Sequence, residues 1–269
     1  MKTRYDARGM KAIVTGASGT IGSKLCAHLR CQGHDVVPWD RRQVPVNDYG
    51  AMERFVREVA PDVVFHLGAI SQPSEWSDEG WGSNYAWASE LAWLTRTLGV
   101  RFLFSSTSMV FSNSARGPFT RSSQPDASEG YGYAKRLAEE RVLSQNPEAR
   151  VVRLGWQIGE QPTGNNMVAF LEERMRQEGR VAASTQWFPS CVMLEDTVRL
   201  LPALAWAEPG VSMLDANERW SFHEIALALN ALHGGRWRVE ASEHPVLDQR
   251  MRDDRVAVPS LKERLPGLL

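Results

Sequence analysis

Short apolar runs alternate along the chain with amphipathic stretches of about 10 to 15 residues, and no internal repeat interrupts them. Lys11–Thr15, Asp35–Trp39, Asp62–Leu67, Arg101–Ser105 and Arg150–Leu154 are rich in buried-type residues and predict strands. Between them, Ile21, Leu25 and Leu29 recur every fourth position up to Gly33, and Tyr49–Val59 runs to Pro61. Asn84–Leu98 and Tyr131–Ser144 are similar, so each gap predicts a helix. Regular alternation of strand and helix predicts the α/β class, with a doubly wound parallel sheet. The regularity ends near Gln157. Beyond it Met167–Gln177 predicts a helix and Val211–Leu214 a last sheet strand, and the remainder has too little β pattern for a second sheet.

Composition narrows the choice of partners. The 269 residues suffice for one large α/β unit with a smaller lobe. Lysine plus arginine (31) nearly balance aspartate plus glutamate (32), leaving a net charge of −1, so neither nucleic acid nor membrane is expected as a partner. No apolar run approaches the ~18 residues of a membrane span, and MKTRYDARGMKAIVTG lacks the core of a secretion signal, which predicts a cytoplasmic protein. Cys26, Cys31 and Cys191 have neither disulfide nor metal spacing. They read as small buried hydrophobes, and no metal is expected.

The candidate chemistry begins at Thr15-Gly-Ala-Ser-Gly-Thr-Ile-Gly22, a glycine loop between a predicted strand and a predicted helix. Gly16 suits the turn, Gly19 a close approach to pyrophosphate and Gly22 close helix packing, while the helix N-terminus offers N–H groups to phosphate. Gly16, Ser18, Gly19, Thr20, Ile21 and Gly22 are therefore cofactor-binding candidates in a Rossmann-type domain. Asp40 ends the second strand, where a carboxylate can accept from an adenosine ribose and favour NAD; Arg41 and Arg42 can meet a 2′-phosphate and admit NADP. Tyr131 and Lys135 lie four apart on one helix face, and an ammonium close to a phenol lowers its pKa. Thr107 follows the strand RFLFSS at a carboxyl edge, where a hydroxyl can hold a substrate carbonyl while Tyr131 protonates it.

These motifs, with Phe104-Ser-Ser-Thr-Ser-Met-Val-Phe111, Gly117-Pro-Phe-Thr120 and Tyr131-Gly-Tyr-Ala-Lys135, resemble the extended short-chain dehydrogenase/reductases, and within them the dTDP-4-dehydrorhamnose reductases. The resemblance implies a catalytic set of Thr107, Tyr131 and Lys135. It places His66, Leu67, Gly68 and Ala69 beside the cofactor, with Tyr131 and Lys135 reaching it too, and gives Asn84 a structural role. Gly164-Asn-Asn-Met167 and Arg250–Leu261 are similar to further family segments. Ser71, Thr107, Trp156, Asn165, Asn166 and Arg252 are thereby assigned to the substrate, a sugar nucleotide. The implied domains are a dinucleotide-binding Rossmann domain (1–156, with 193–217 returning to it) and a substrate-binding lobe (157–192 and 218–269). The implied cofactor is NAD or NADP, and a homodimer is among the expected assemblies.

The chain departs from the family where it would face the substrate. Ser108-Met109 replaces the family's Asp-Tyr, Ser112-Asn113 its Asp-Gly, and Ser71-Gln-Pro-Ser74 its Ala-Val-Asp-Lys. The reaction class thus transfers better than the substrate. Reduction of a 4-keto-6-deoxy sugar nucleotide is the leading expectation. An NAD-dependent epimerase or dehydratase and a non-catalytic NAD(P)-binding regulatory subunit are the alternatives.

Overall fold

The computed structural model describes residues 9–70 and 79–268. They divide between two compact units, one drawn from Met1–Ser106, Ser128–Val152 and Val198–Val211, the other from Thr107–Ala127, Arg153–Thr197 and Ser212–Leu269.

A six-stranded sheet is built from β1 (Lys11–Thr15), β2 (Asp35–Pro38), β3 (Val63–His66), β4 (Arg101–Thr107), β5 (Arg150–Leu154) and β6 (Gly210–Leu214), in the order β6-β5-β4-β3-β1-β2. β1 pairs in parallel with β2 and β3, and β3 with β4, so Ile13 stands beside Val37 and Val64, and Val64 beside Phe102. The helices α1 (Thr20–Cys31), α2 (Tyr49–Val59), α3 (Trp87–Leu98) and α4 (Gly130–Gln145) alternate with these strands. Strands buried on both faces explain the continuous apolar runs of the sequence. Ile13, Val64, Phe102 and Phe104 pack with Trp87 and Val142 into the first unit's core. The doubly wound α/β reading therefore holds.

One helix differs from its predicted form. The Asn84–Leu98 pattern extends back through a π-turn at Gly82–Ala86 to a short helix at Glu79–Trp81. Asn84 explains the wide turn: its buried amide accepts from Ile70 N at 2.9 Å and donates to Ile70 O at 2.7 Å, tying the helix to the chain after β3.

The second unit contains α5 (Met167–Glu178), the first turn of α6 (Leu194–Ala205) and α7 (Phe222–Leu232). Met167, Leu171, Val181, Trp220, Phe222 and Ile225 form its core. It also carries β structure that the sequence pattern did not predict, in four parallel two-stranded pairs. Trp156–Ile158 pairs with Cys191–Met193, Val181–Ser184 with Val239–Ser242, Trp187–Phe188 with Leu247–Asp248, and Phe119–Thr120 with Met251–Arg252. The segment 107–127 belongs to this unit, where Val110, Phe111 and Phe119 pack with Met213 and Met251. Cys26 and Cys191 are buried as expected, whereas Cys31 is exposed in the last turn of α1.

Asp215, just after β6, ties the short strands together. Its carboxylate accepts from Cys191 N (3.0 Å), Asn217 N (2.8 Å) and Met251 N (2.7 Å). Burial pushes the carboxyl up to about 7, although these hydrogen bonds pull the other way. In Asp215→Asn an amide N–H must face a backbone N–H. The expected cost is about 1–3 kcal/mol, read as a lower denaturant midpoint at unchanged slope.

Candidate active site

The glycine loop spans the step from β1 to α1. Gly16 has φ +64°, and a Cβ there would lie 2.8 Å from Gly68 N, so the loop packs against the turn after β3. A Cβ on Gly22 would collide with the Gly16 carbonyl oxygen, which is why the helix can approach so closely. Gly19 is the N-cap of α1 and supplies no capping side chain, while its N–H donates to Gly16 O at 2.9 Å. Ser18 and Gly19 are exposed and Thr20 and Ile21 half-buried, so an open helix N-terminus stands where an anion can reach it.

Asp40 lies just beyond β2. Its carboxylate accepts from Arg42 N at 2.9 Å and has Arg42 Nε at 3.7 Å, while Arg41 and Arg42 both extend into solvent. Acid and guanidinium groups thus share one loop, which Trp39 fixes from below by donating its indole N–H to Val44 O (3.0 Å). After β3, Leu67 is half-buried, Gly68 buried and Ala69 exposed. His66 departs from expectation: it has no exposed surface, so its side chain cannot edge a cofactor, being closed in by Thr15, Trp87, Phe102 and Phe104.

Tyr131 and Lys135 share one face of α4, with Lys135 Nζ 6.0 Å from the Tyr131 ring centroid. The ammonium is fully buried, donates to Ser105 O at 2.7 Å and sits 4.2 Å over the Phe104 ring. The sequence predicts a phenol lowered by this neighbour. Desolvation dominates instead: it raises the phenol of the half-buried Tyr131 above its ordinary value and lowers the fully buried Lys135 to about 7, with Glu139 one turn away pulling the lysine back up. Both shifts favour the neutral forms, so Tyr131 is a phenol rather than a phenolate at neutral pH.

The buried ammonium has a measurable consequence. Its folded pKa is below its unfolded one, so the unfolded chain binds more protons between about pH 7 and 10, and stability rises with pH across that window. Lys135→Met lacks this term. The variant's melting temperature, relative to wild type, should be highest near pH 6 and fall as pH rises through 7 to 9; a pH-independent difference would contradict the buried charge.

Thr107 ends β4, half-buried, and its hydroxyl accepts from Met109 N at 3.2 Å, capping the turn Ser108–Val110. Its neighbour Ser106 is buried and cannot replace it. In the second unit, Trp156 is half-buried and stacks with Trp187 (5.9 Å between centroids) and, edge-on, with Phe170 (5.2 Å). Phe170, Arg174, Ser184, Trp187, Phe222 and Pro245 line a cleft of about 250 Å³.

Of the residues assigned to substrate, Asn165 is exposed, but Asn166 is not available as expected. It is 3% exposed, accepts from Ala169 N as the cap of α5, and donates to Gln161 O and Thr163 O. Both amide donors are spent on its own loop. Arg252 is exposed and paired with Asp254 at 2.8 Å. Ser71 lies outside the described residues.

Sequence reasoning missed the aromatic cleft, because its walls come from two helices, two short strands and a loop far apart in the chain. The ten tryptophans were the available signal. Among the described residues, no group of His, Cys, Asp and Glu could hold a metal ion, and no helix is long and apolar enough to cross a membrane.

A family profile described as "RmlD substrate binding domain" matches residues 10–203. The chain belongs to this family. Among its relatives, the spore coat polysaccharide biosynthesis protein SpsK of Bacillus subtilis is 25% identical over 224 residues, covering 81% of this chain and 78% of that protein. A dTDP-4-dehydrorhamnose reductase of Mycobacterium tuberculosis is 30% identical over 205 residues, covering 74% of this chain; the alignment spans 66% of the relative's own length. The solved dTDP-4-dehydrorhamnose reductase of Bacillus anthracis in complex with NADP has the same fold, with a TM-score of 0.84 at 18% identity over 96% of this chain and 98% of that one. The RmlD profile covers β1 to β5 and most of α6, and so includes every catalytic candidate.

Proposed function

We propose that the protein is an NAD(P)-dependent oxidoreductase of the short-chain dehydrogenase/reductase type that reduces the 4-keto group of a 6-deoxy sugar nucleotide. The observation that carries this reading is the Tyr131–Lys135 pair on one helix face, with Lys135 Nζ 6.0 Å from the Tyr131 ring centroid. Relatives named dTDP-4-dehydrorhamnose reductase, one of them solved with NADP, support the reaction and the cofactor.

The glycine loop fits a dinucleotide: a Cβ would fill its cradle at Gly22, and α1 begins on an uncapped glycine. Gly16 to Gly22 would hold the pyrophosphate, Asp40 the adenosine ribose, and Arg41 or Arg42 a 2′-phosphate, so NADH and NADPH are both accepted. When bound, the reduced cofactor supplies a hydride to the carbonyl carbon. The chain's own residues manage the oxygen. Charge builds there as the carbon is reduced, Tyr131 donates its phenolic proton to that oxygen, and Lys135, in its protonated form, stabilises the phenolate left behind. Thr107 takes the role the resemblance gives it, a hydroxyl hydrogen-bonded to the same oxygen.

The reading places the enzyme in the cytoplasm, and exposed Trp81 and Trp93 support a homodimer, which light scattering tests. To test the activity, the protein is incubated with NADPH or NADH and a panel of 4-keto-6-deoxy sugar nucleotides while the absorbance of the reduced cofactor is followed. Net consumption is expected. Isomerised sugar without net consumption would indicate an epimerase, and tight cofactor binding without any turnover a regulatory subunit.

A further inference from the structure

His66 is a fully buried titratable side chain that the reaction above does not use. Its Nδ1 lies 2.9 Å from Thr15 Oγ1, and the same oxygen accepts from Leu67 N (3.1 Å) and Gly68 N (2.9 Å). A hydroxyl has one proton and two lone pairs. The two backbone N–H groups occupy the lone pairs, so the Thr15 proton goes to His66 Nδ1, and the ring carries its own proton on Nε2. Burial, reinforced by the nearby Lys135 charge, lowers His66 well below the ordinary imidazole range, which keeps Nδ1 free to accept. A proton on Nδ1 would turn that acceptor into a donor and displace one of the backbone N–H groups from Thr15.

The clasp sits where two cofactor-facing segments meet. A Cβ on Gly16 would lie 2.8 Å from Gly68 N, and one on Gly68 would lie 3.1 Å from Thr15 Oγ1 and 2.8 Å from the Trp87 ring. Nothing of side-chain size fits between the glycine loop and the turn after β3, so their spacing depends on backbone and on this hydroxyl. His66 Nε2 has no hydrogen-bond partner, and the ring is edge-on to Trp87 (4.7 Å) and nearly parallel to Phe104 (5.7 Å). A phenyl ring would meet those aromatic neighbours about as well. The part of the imidazole that packing does not call for is Nδ1.

We infer that His66 is a positioning residue for dinucleotide binding: its Nδ1 orients the Thr15 hydroxyl, which holds the Leu67–Gly68 turn at the spacing from the glycine loop that the cofactor requires. The inference rests on the reading of that loop as the dinucleotide site.

The test measures NADPH affinity by calorimetry, together with melting temperature, for wild type, His66→Phe, His66→Asn, Thr15→Val and the double variant His66→Phe/Thr15→Val. His66→Phe leaves the Thr15 proton without its acceptor and is expected to weaken NADPH binding about tenfold. His66→Asn, which returns an acceptor near the position of Nδ1, should recover most of the loss. Thr15→Val should lose at least as much as His66→Phe, and the double variant no more than Thr15→Val, since both changes remove one contact. Wild-type affinity in His66→Phe, no recovery in His66→Asn, or additive losses in the double variant would each overturn the inference, leaving His66 a packing residue. If wild type itself binds no dinucleotide, the reading of the glycine loop fails and this inference with it. If wild type binds and His66→Phe binds equally well, only the inference fails.

Discussion

Tyr131→Phe should lower turnover by roughly 10² to 10⁴ while leaving the fold and the cofactor affinity nearly unchanged. The substitution removes one oxygen and keeps the ring, so the packing on α4 is preserved. What disappears is the proton that must reach the substrate oxygen as its charge develops. A stopped-flow comparison at saturating cofactor separates this from a binding defect. Tyr133 is the control. It lies two residues on, about 200° around the helix from Tyr131, with the Arg136 guanidinium 5.7 Å from its ring centroid. Tyr133→Phe should therefore retain turnover. If Tyr133→Phe were inactive and Tyr131→Phe active, the proton donor would be misassigned.

The second large effect is expected at Gly22. A single methyl there meets the Gly16 carbonyl oxygen, with Gly16 C at 2.8 Å and Ala17 Cα at 3.0 Å, all of it backbone that no side-chain rotation can relieve. Gly22→Ala must push the loop off α1. Dinucleotide affinity should fall at least a hundredfold, about 2.7 kcal/mol, in an equilibrium titration. Gly33→Ala gives the comparison: its Cβ meets nothing within 4 Å, but φ is +80°, so the change strains the end of α1 far from the loop. It should cost about 1 kcal/mol of stability and leave affinity intact. Equal losses of affinity in both variants would mean that Gly22 acts through global stability alone.

The parts of this protein that a sequence reveals are those with long-period patterns. β1, β3 and β4 are runs of buried residues, and α1 carries its apolar face at helical spacing, so the sheet and the position of the glycine loop could be read directly. The pairs of two to four residues in the second unit fall below any alternation signal. They are held by contacts such as Asp215 to Cys191, Asn217 and Met251, which join residues up to 36 positions apart. Asn166 shows a different limit. Its motif is legible, but whether an asparagine faces a ligand or caps its own helix depends on where the loop carbonyls of Gln161 and Thr163 fall. The phenol and ammonium of Tyr131 and Lys135 were legible as a pair. Their protonation was not, because it is set by desolvation, which depends on the surroundings that the fold builds around them.

The central claim is that the chain carries out net transfer of hydride to a sugar carbonyl, with Tyr131 supplying the proton. It is tested most directly by turning over a 4-keto-6-deoxy sugar nucleotide with NADPH deuterated at the transferable position and analysing the sugar product by mass spectrometry. The account predicts one deuterium bound to C4 of the sugar for each cofactor oxidised, with labelling by the Tyr131→Phe variant slower by roughly 10² to 10⁴. A sugar product that carries no deuterium, or that is isomerised while the cofactor pool stays reduced, would contradict it.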